Sequence, residues 1–168
     1  MTNSVTAGAP AGRRERVTIE RTYSASIEDV WEMWTTKDGI EAWWGPEGFA
    51  TTVRAIDLRP GGTLEYTMRA MDTGQIEFMK KAGMPLAIDH RLSYTEVAPP
   101  KRLGFSHYAD FIPGVDPYQV NHIVELEATA DGVRVIVTID RMHDDYWTEM
   151  AVKGWTSQLE KLAKSLAA

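Results

Sequence analysis

The stretch Gly154 to Leu162, G-W-T-S-Q-L-E-K-L, lies within the longest amphipathic segment of the chain and decides how the chain has to fold. Because an α-helix turns once every 3.6 residues, apolar residues spaced by three or four form one stripe along it. The stripe here consists of Trp147, Ala151, Trp155, Leu159, Leu162 and Leu166. The pattern predicts one long C-terminal helix over about residues 144–166, which must bury this stripe against another element.

The segments upstream of this helix alternate between apolar and polar residues, as half-buried strands do. A first strand, Val17 to Tyr23, precedes two short helical segments at 26–34 and 37–44, and Gly45-Pro46 ends the second of them. Six more strands are predicted at 50–58, 63–71, 88–97, 102–108, 119–128 and 133–140. Grouped antiparallel strands with one amphipathic helix indicate an α+β fold, in which the helix lies across a curved sheet.

Composition excludes several classes of function. The 168 residues include no cysteine, which excludes disulfides, zinc–thiolate sites and thiol nucleophiles and favours a cytoplasmic location. A net charge of −6 provides no general attraction to nucleic acid or to anionic membranes. Residues 1–15 are rich in small residues and lack an apolar core, so we expect a disordered segment and no signal peptide. Residues 16–168 then form one domain.

The segment Glu41 to Phe49, E-A-W-W-G-P-E-G-F, places two tryptophans directly before a chain reversal. Consecutive helical residues point about 100° apart, so the two rings face different directions. We expect one ring to pack between the short helix and the sheet. Two interpretations of the second ring stay open. It belongs to the core like the first, or it is the Trp44 ring and forms a wall or gate for a ligand.

Three of the four histidines, His90, His107 and His122, lie on consecutive predicted strands. Folding these strands into hairpins places His107 opposite about Leu92 and Val120, so the three imidazoles end near one end of the sheet. A register slip of one residue would move them to the other face. Three roles stay open: hydrogen-bonded structural residues, groups that orient a ligand, and a metal or general-base site.

Five motifs, in this order, resemble the SRPBCC (START-like, pollen-allergen-like) superfamily. They are V-W-E-M-W-T (30–35), W-W-G-P-E-G-F (43–49), D-L-R-P-G-G (57–62), V-A-P-P-K-R-L (97–103) and G-W-T-S-Q-L-E-K-L (154–162). The closest similarity is to the bacterial family related to the C-terminal domain of the heat-shock-protein-90 ATPase activator. This resemblance implies a helix-grip fold, with a cavity between the sheet and the long helix. Members of the superfamily include carriers, cyclases, hydrolases and co-chaperone domains, so the resemblance implies no single activity.

The residues expected to line such a cavity come from the inward faces of the strands (Tyr66, Met68, Phe105, His107 and His122), from the end of the second short helix (Trp44) and from the apolar stripe of the long helix (Trp155). We expect a small, largely apolar ligand there, bound through burial of its surface, and neither a cofactor nor a metal. One alternative is a cyclase- or hydrolase-like enzyme that uses His107 or His122 for proton transfer, with its other catalytic residues unknown. Another is a module that stimulates a chaperone ATPase. Whether the chain forms a homodimer stays open.

Five further features have competing interpretations. The segment 72–87 is partly apolar and is expected to contain a short helix over about 75–82. Either this segment and the loop 109–118 form lids over the cavity, or they pack against the protein surface. Gly154 marks either a close approach of another element or room for a ligand. Tyr94 and Tyr108, like Tyr66, either orient a ligand or pack in the core. The run H-D-D-Y-W (143–147) is better explained by an aspartate helix cap than by metal binding.

Overall fold

The computed structural model describes residues 15–110, 112 and 114–167. Within these residues, seven strands and four helices follow one another in the order β1 Arg16–Tyr23, α1 Ile27–Thr35, α2 Lys37–Trp43, β2 Phe49–Ile56, β3 Thr63–Ala70, α3 Thr73–Lys81, β4 Ala87–Ala98, β5 Arg102–Ala109, β6 Tyr118–Ala128, β7 Val133–Asp140 and α4 Asp145–Ala167. The predicted disordered segment 1–15 lies outside the described residues, except for Glu15. Every strand and helix predicted from the sequence is present within one to three residues of its expected bounds.

The seven strands form one antiparallel sheet in the order β1-β7-β6-β5-β4-β3-β2. One face of the sheet is buried, as the alternating burial along β6 and β7 shows. The long helix α4 covers this face and buries Trp155, Leu159 and Leu162 of the predicted stripe. The α+β helix-grip fold predicted from the sequence is confirmed.

Side-chain caps explain where the helices begin. The Asp29 amide donates to Ser26 Oγ (3.1 Å) at the start of α1, and the Gly39 amide donates to Thr36 Oγ1 (3.0 Å) at the start of α2. At the start of α4, Asp144 Oδ1 accepts a hydrogen bond from the Trp147 amide (2.9 Å). Each cap satisfies a backbone N–H that has no partner within its helix. The aspartate cap predicted for the run 143–147 is therefore present.

Strand β2 differs most from its prediction, because it begins at Phe49 and ends at Ile56 instead of spanning 50–58. The Asp57 amide donates to the Thr63 carbonyl (2.9 Å), so the turn to β3 starts two residues earlier than expected. A β-bulge between Val53 and Ala55 also interrupts the pairing. Turn closure and bulge depend on contacts with β3, which alternation within β2 alone does not reveal.

Buried apolar residues form two clusters. The larger lies between the inner face of the sheet and α1, α2 and α4, and contains four of the six tryptophans. The smaller lies beneath the 109–118 loop and contains Ala109, Ile112, Val120 and Met142. The described part of this loop therefore packs against the protein. None of the helices in the described residues is long and apolar enough to cross a bilayer.

Candidate ligand-binding cavity

The adjacent tryptophans at the end of α2 point in different directions, as their helical spacing predicts. Trp43 is fully buried, and its indole Nε1–H donates to the Met33 carbonyl at 2.7 Å. The ring of Trp44 instead meets Trp155 and Phe105 edge-on, with centroid distances of 5.7 and 6.0 Å. Trp43 thus joins α1 to α2, whereas Trp44 connects α2 with both the sheet and α4.

Two side chains fix the turn that follows Trp44. Thr51 Oγ1 donates to the Trp44 carbonyl (2.7 Å). The ammonium group of Lys161, on α4, lies within hydrogen-bond distance of three turn carbonyls: Gly45 (3.1 Å), Pro46 (3.4 Å) and Phe49 (3.1 Å). Burial lowers the pKa of Lys161, and nearby Glu47 opposes that shift. Because these bonds hold the backbone on both sides of the turn, the position of the Trp44 ring is set before any ligand binds.

A cavity of about 120 Å³ remains between the sheet and α4. All seven residues that the sequence predicted for its lining contribute to it: Trp44, Tyr66, Met68, Phe105, His107, His122 and Trp155. Each comes from the end of α2, the inner face of β3, β5 or β6, or the buried stripe of α4. The structure therefore brings the whole predicted set together around one space.

Two further residues, Leu92 and Gln158, line the cavity and were not predicted from the sequence. The signal for Leu92 was available, since the expected hairpin already placed it opposite His107. Gln158 follows Trp155 by three residues, so helical geometry puts both on one side of α4. It was missed because the stripe was defined from apolar residues alone, whereas the glutamine side chain is only 8% exposed.

The histidines at the cavity form a short row across the inner face of the sheet. His107 pairs with Val120, as the predicted hairpin requires, and its ring lies 5.0 Å from that of His122. The His122 ring stacks on Phe105 with a centroid distance of 4.7 Å. His90 stacks on the Tyr66 ring at 5.2 Å and is not part of the cavity lining. Within the described residues, no three His, Cys, Asp or Glu side chains are grouped so that they could hold a metal ion.

The imidazoles at the cavity are electrically neutral at neutral pH. Burial holds the pKa of His122 well below its ordinary value, and the nearby His107 adds to this effect. Burial also lowers the pKa of His107, although the Tyr108 carbonyl and Asp110 act in the opposite direction. A neutral imidazole has one donor nitrogen and one acceptor nitrogen. Either ring can therefore hydrogen bond to a ligand or accept a proton from one.

Two buried polar atoms in the side chains that line the cavity have no hydrogen-bond partner within the described chain. They are Nδ1 of His122, on β6, and Nε2 of Gln158, on α4. For Tyr66, burial raises the pKa of the phenol, and the nearby Trp44 side chain partly opposes that shift. Unpartnered buried polar atoms are rare in native proteins, and each calls for an explanation.

Some of the ambiguous residues lie away from the cavity. Tyr108 is 62% exposed, so the hypothesis that it orients a ligand in the cavity is wrong. The buried Tyr94 packs in the larger core cluster. A Cβ added at Gly154 would meet no atom within 4 Å, so the close approach expected there is absent and the helix surface beside it is open. Gly154 does not line the cavity.

The segment 72–87 contains α3, which matches the short helix expected at 75–82. It packs beside the turn before β2. The side-chain amide nitrogen of Gln75 donates to the Glu47 carbonyl (3.1 Å), and the backbone amide of the preceding Met71 donates to the Gly48 carbonyl (2.8 Å). No described residue of this segment or of the 109–118 loop lines the cavity. In this conformation the described residues of both segments pack against the protein surface.

Comparison with known proteins agrees with this architecture. Similar solved structures include the AHSA1 protein from Silicibacter pomeroyi, with 24% identity, a TM-score of 0.71, and coverage of 91% of this chain and 98% of that one. A protein from Chromobacterium violaceum has 19% identity and a TM-score of 0.70 over 92% of this chain and 99% of its own. An AHSA1-like protein from Aeromonas hydrophila has 24% identity and a TM-score of 0.66, over 89% and 90%. At these identities the likeness shows a common fold.

A search among curated proteins found no match. The model of one protein family, described as activator of Hsp90 ATPase homolog 1-like protein, matches residues 24–167. This match covers most of the chain and includes α1, α2, the strands β2 to β7 and α4, which together build the cavity. The chain therefore belongs to the family of activator of Hsp90 ATPase homolog 1-like proteins.

Proposed function

We propose that this protein binds a small, largely apolar molecule in the cavity between the sheet and α4. The observation that carries the proposal is a concave space of about 120 Å³, partly open to solvent and bordered by the aromatic core. Small-molecule sites are typically concave and lined mainly by apolar and aromatic side chains, with a few polar groups among them. The described residues that line this space have that composition.

The aromatic cluster limits how large the ligand can be. Trp34 stacks on Trp155 at 5.9 Å, and Trp44 lies edge-on to both, so these rings occupy most of the space beneath α4. An apolar cavity of about 150 Å³ in another protein holds a single benzene. The present cavity thus suits a ligand of about one ring, and a longer lipid would require the aromatic cluster to move.

The expected affinity follows from the surface that such a ligand buries. A ring that buries about 200 Å² gains about 5 kcal/mol at about 25 cal/mol per Å². Association costs reduce this gain, so a simple probe such as toluene is expected to bind with a Kd on the order of 1 mM. NMR titration measures affinities in this range. The indole N–H resonances of Trp44 and Trp155 provide local reporters at the cavity wall.

A pair of matched variants tests the location of binding. Met68 lines the cavity, whereas Met71, just beyond the end of the same strand, is 58% exposed. We expect Met68→Trp to fill the space and abolish toluene binding, while Met71→Trp leaves it unchanged. The proposed function is contradicted if neither toluene nor another neutral single-ring probe shifts the two indole resonances up to its solubility limit, or if toluene binds Met68→Trp as well as it binds the unmodified protein.

A second candidate function is stimulation of a chaperone ATPase, which the family description favours. Two exposed apolar side chains near α3, Met71 and Phe78, offer contact surface for such a partner. If this function holds, adding the protein to a bacterial Hsp90-type chaperone raises its ATPase rate, and Phe78→Ser weakens that effect. Tyr146→Ser, at a similarly exposed aromatic residue on α4, is the control. An unchanged ATPase rate excludes this candidate.

A further inference from the structure

The polarity of the cavity wall specifies more about the ligand than its size does. His122 reaches the cavity from the sheet and Gln158 reaches it from α4. The two residues are 3% and 8% exposed, and neither Nδ1 of His122 nor Nε2 of Gln158 makes a hydrogen bond of normal distance and angle in the described chain. The Val120 backbone lies near the His122 ring and opposes the lowering of its pKa, but it does not complete such a bond. A purely apolar guest would leave both atoms unpaired, which is unfavourable in a buried site. The pair therefore calls for a guest with a polar group.

The chemistry of these two atoms restricts that group. The amide nitrogen of Gln158 is a donor, whereas Nδ1 of a neutral imidazole accepts or donates according to its tautomer. A ligand group that satisfies both must accept from Gln158 and also serve His122. A hydroxyl group is the smallest group that both accepts and donates. A carbonyl or ether oxygen satisfies the glutamine and only one tautomer of the histidine.

The charge of the wall excludes ionised ligands. Among the described residues that line the cavity there is no Lys, Arg, Asp or Glu. The pKa values of His107 and His122 are lowered by burial, so neither ring provides a positive charge at neutral pH. A carboxylate or ammonium group would lose its hydration there without gaining a counter-charge. The wall is therefore suited to a neutral molecule.

The remaining lining is aromatic and favours a flat ring. Phe105 and Trp155 lie 6.5 Å apart, and Trp44 lies edge-on to both, so a planar guest can meet ring faces and ring edges together. The volume of about 120 Å³ is somewhat smaller than the apolar cavity of about 150 Å³ that holds one benzene, so it suits a guest of about one ring.

We propose that the ligand is a neutral single-ring aromatic compound bearing one hydroxyl group, which Gln158 and His122 hold by hydrogen bonds. This inference rests on the proposed function, because it specifies the ligand of the same cavity. Simple monohydric phenols are the corresponding chemical class. His122 and Gln158 then determine specificity, whereas Trp44, Phe105 and Trp155 provide the apolar contact.

The test compares phenol, toluene and benzoate, which share one ring, by NMR titration at pH 7.5. A wholly apolar cavity prefers toluene, because burying an unpaired hydroxyl group is unfavourable. We expect the opposite order, with phenol binding at least threefold more tightly than toluene and benzoate not binding detectably. Toluene binding equal to or tighter than phenol binding overturns the inference and leaves the proposed function standing. If none of the three compounds binds, both proposals fail.

A glutamine variant assigns the hydrogen bond. Gln158→Met keeps an unbranched side chain of similar length and removes the amide, so we expect about tenfold weaker phenol binding and less than a twofold change for toluene. Gln119→Met is the matched control, because Gln119 donates to Ser106 Oγ and does not line the cavity. Equal losses for phenol and toluene in Gln158→Met contradict the assignment.

A second measurement uses the unmodified protein and does not require the variant to fold. The side-chain amide protons of Gln158 give their own NMR signals, which a new acceptor shifts downfield. We expect saturating phenol to shift them and saturating toluene to leave them nearly unchanged. Bound phenol with unshifted Gln158 amide signals overturns the role proposed for this residue.

Discussion

The buried imidazole of His122 makes the stability of this protein depend on pH in a direction that the structure fixes. Its side chain is 3% exposed, and burial holds its pKa well below the ordinary value. In the unfolded chain the same group titrates near 6.5. Below pH 6.5 the unfolded chain therefore binds one more proton than the folded protein. The free energy of unfolding is highest above pH 6.5 and falls as the pH decreases toward the folded-state pKa.

The size of this effect follows from proton linkage. Each proton taken up only on unfolding lowers the free energy of unfolding by about 1.4 kcal/mol per pH unit below the unfolded pKa. Between pH 7.5 and pH 5.0, one histidine that stays neutral in the folded state thus accounts for a loss of about 2 kcal/mol. His107, whose pKa burial also lowers, adds to the loss. Other groups of the chain also titrate over this range, so the comparison must be made between variants.

The assay is urea unfolding at pH 7.5, 6.0 and 5.0, followed by tryptophan fluorescence. His122→Gln removes the titrating ring, so its free energy of unfolding is expected to lose about 2 kcal/mol less than that of the unmodified protein over this range. A constant offset from altered packing does not affect this difference, because only the pH dependence is compared. Gln119→Met, on the same strand as His122, removes no titrating group and is the control, so it should keep the pH dependence of the unmodified protein.

Identical pH dependence in His122→Gln and the unmodified protein would refute the reasoning. It would mean that the ring is protonated in the folded state and that the cavity wall is more polar than described. NMR titration of the His122 ring provides an independent check, since we expect its signals to show no titration near pH 6.5. A midpoint near 6.5 would also contradict the prediction.

Three further substitutions test the contacts that position the cavity. Lys161→Met removes the ammonium group from the carbonyls of the 45–49 turn, so chemical denaturation should show a free energy of unfolding lower by about 2 kcal/mol. The control is Lys164→Met, at an exposed lysine, which should change the free energy of unfolding by less than about 0.5 kcal/mol. Tyr23→Phe removes a buried hydrogen bond of 3.0 Å to the α4 backbone, so a loss of about 1 kcal/mol is expected, and a neutral result would show that this bond contributes nothing. Gly39→Ala places a Cβ 2.3 Å from a backbone oxygen of α1, so circular dichroism should show a markedly lower melting temperature; unchanged melting would contradict the described packing.

The sequence predicted the site residues well where strand alternation and helical spacing sufficed. Phe105 and His107 lie two residues apart on β5, so both point to the same face of the sheet. Because the amphipathic helix covers one face of the sheet, alternate residues of each strand must lie on that covered face. Gln158 escaped this reasoning because a polar residue on a buried helix face gives no signal in an apolar pattern. Tyr108 was placed wrongly because it was grouped with the other tyrosines by its hydroxyl group, although alternation from Phe105 already puts it on the outer face.

The local periodicity of the chain is enough to predict which elements form and which side chains turn toward the core. Helix α4, the seven strands and the inward direction of His122 follow from this periodicity. The tertiary structure alone decided how much space stays unfilled, because that volume is a small difference between the packing of α2, the sheet and α4. It also decided that His122 and Gln158 lack partners, since hydrogen bonding between residues distant in sequence depends on distances of a few ångströms that no spacing along the chain encodes.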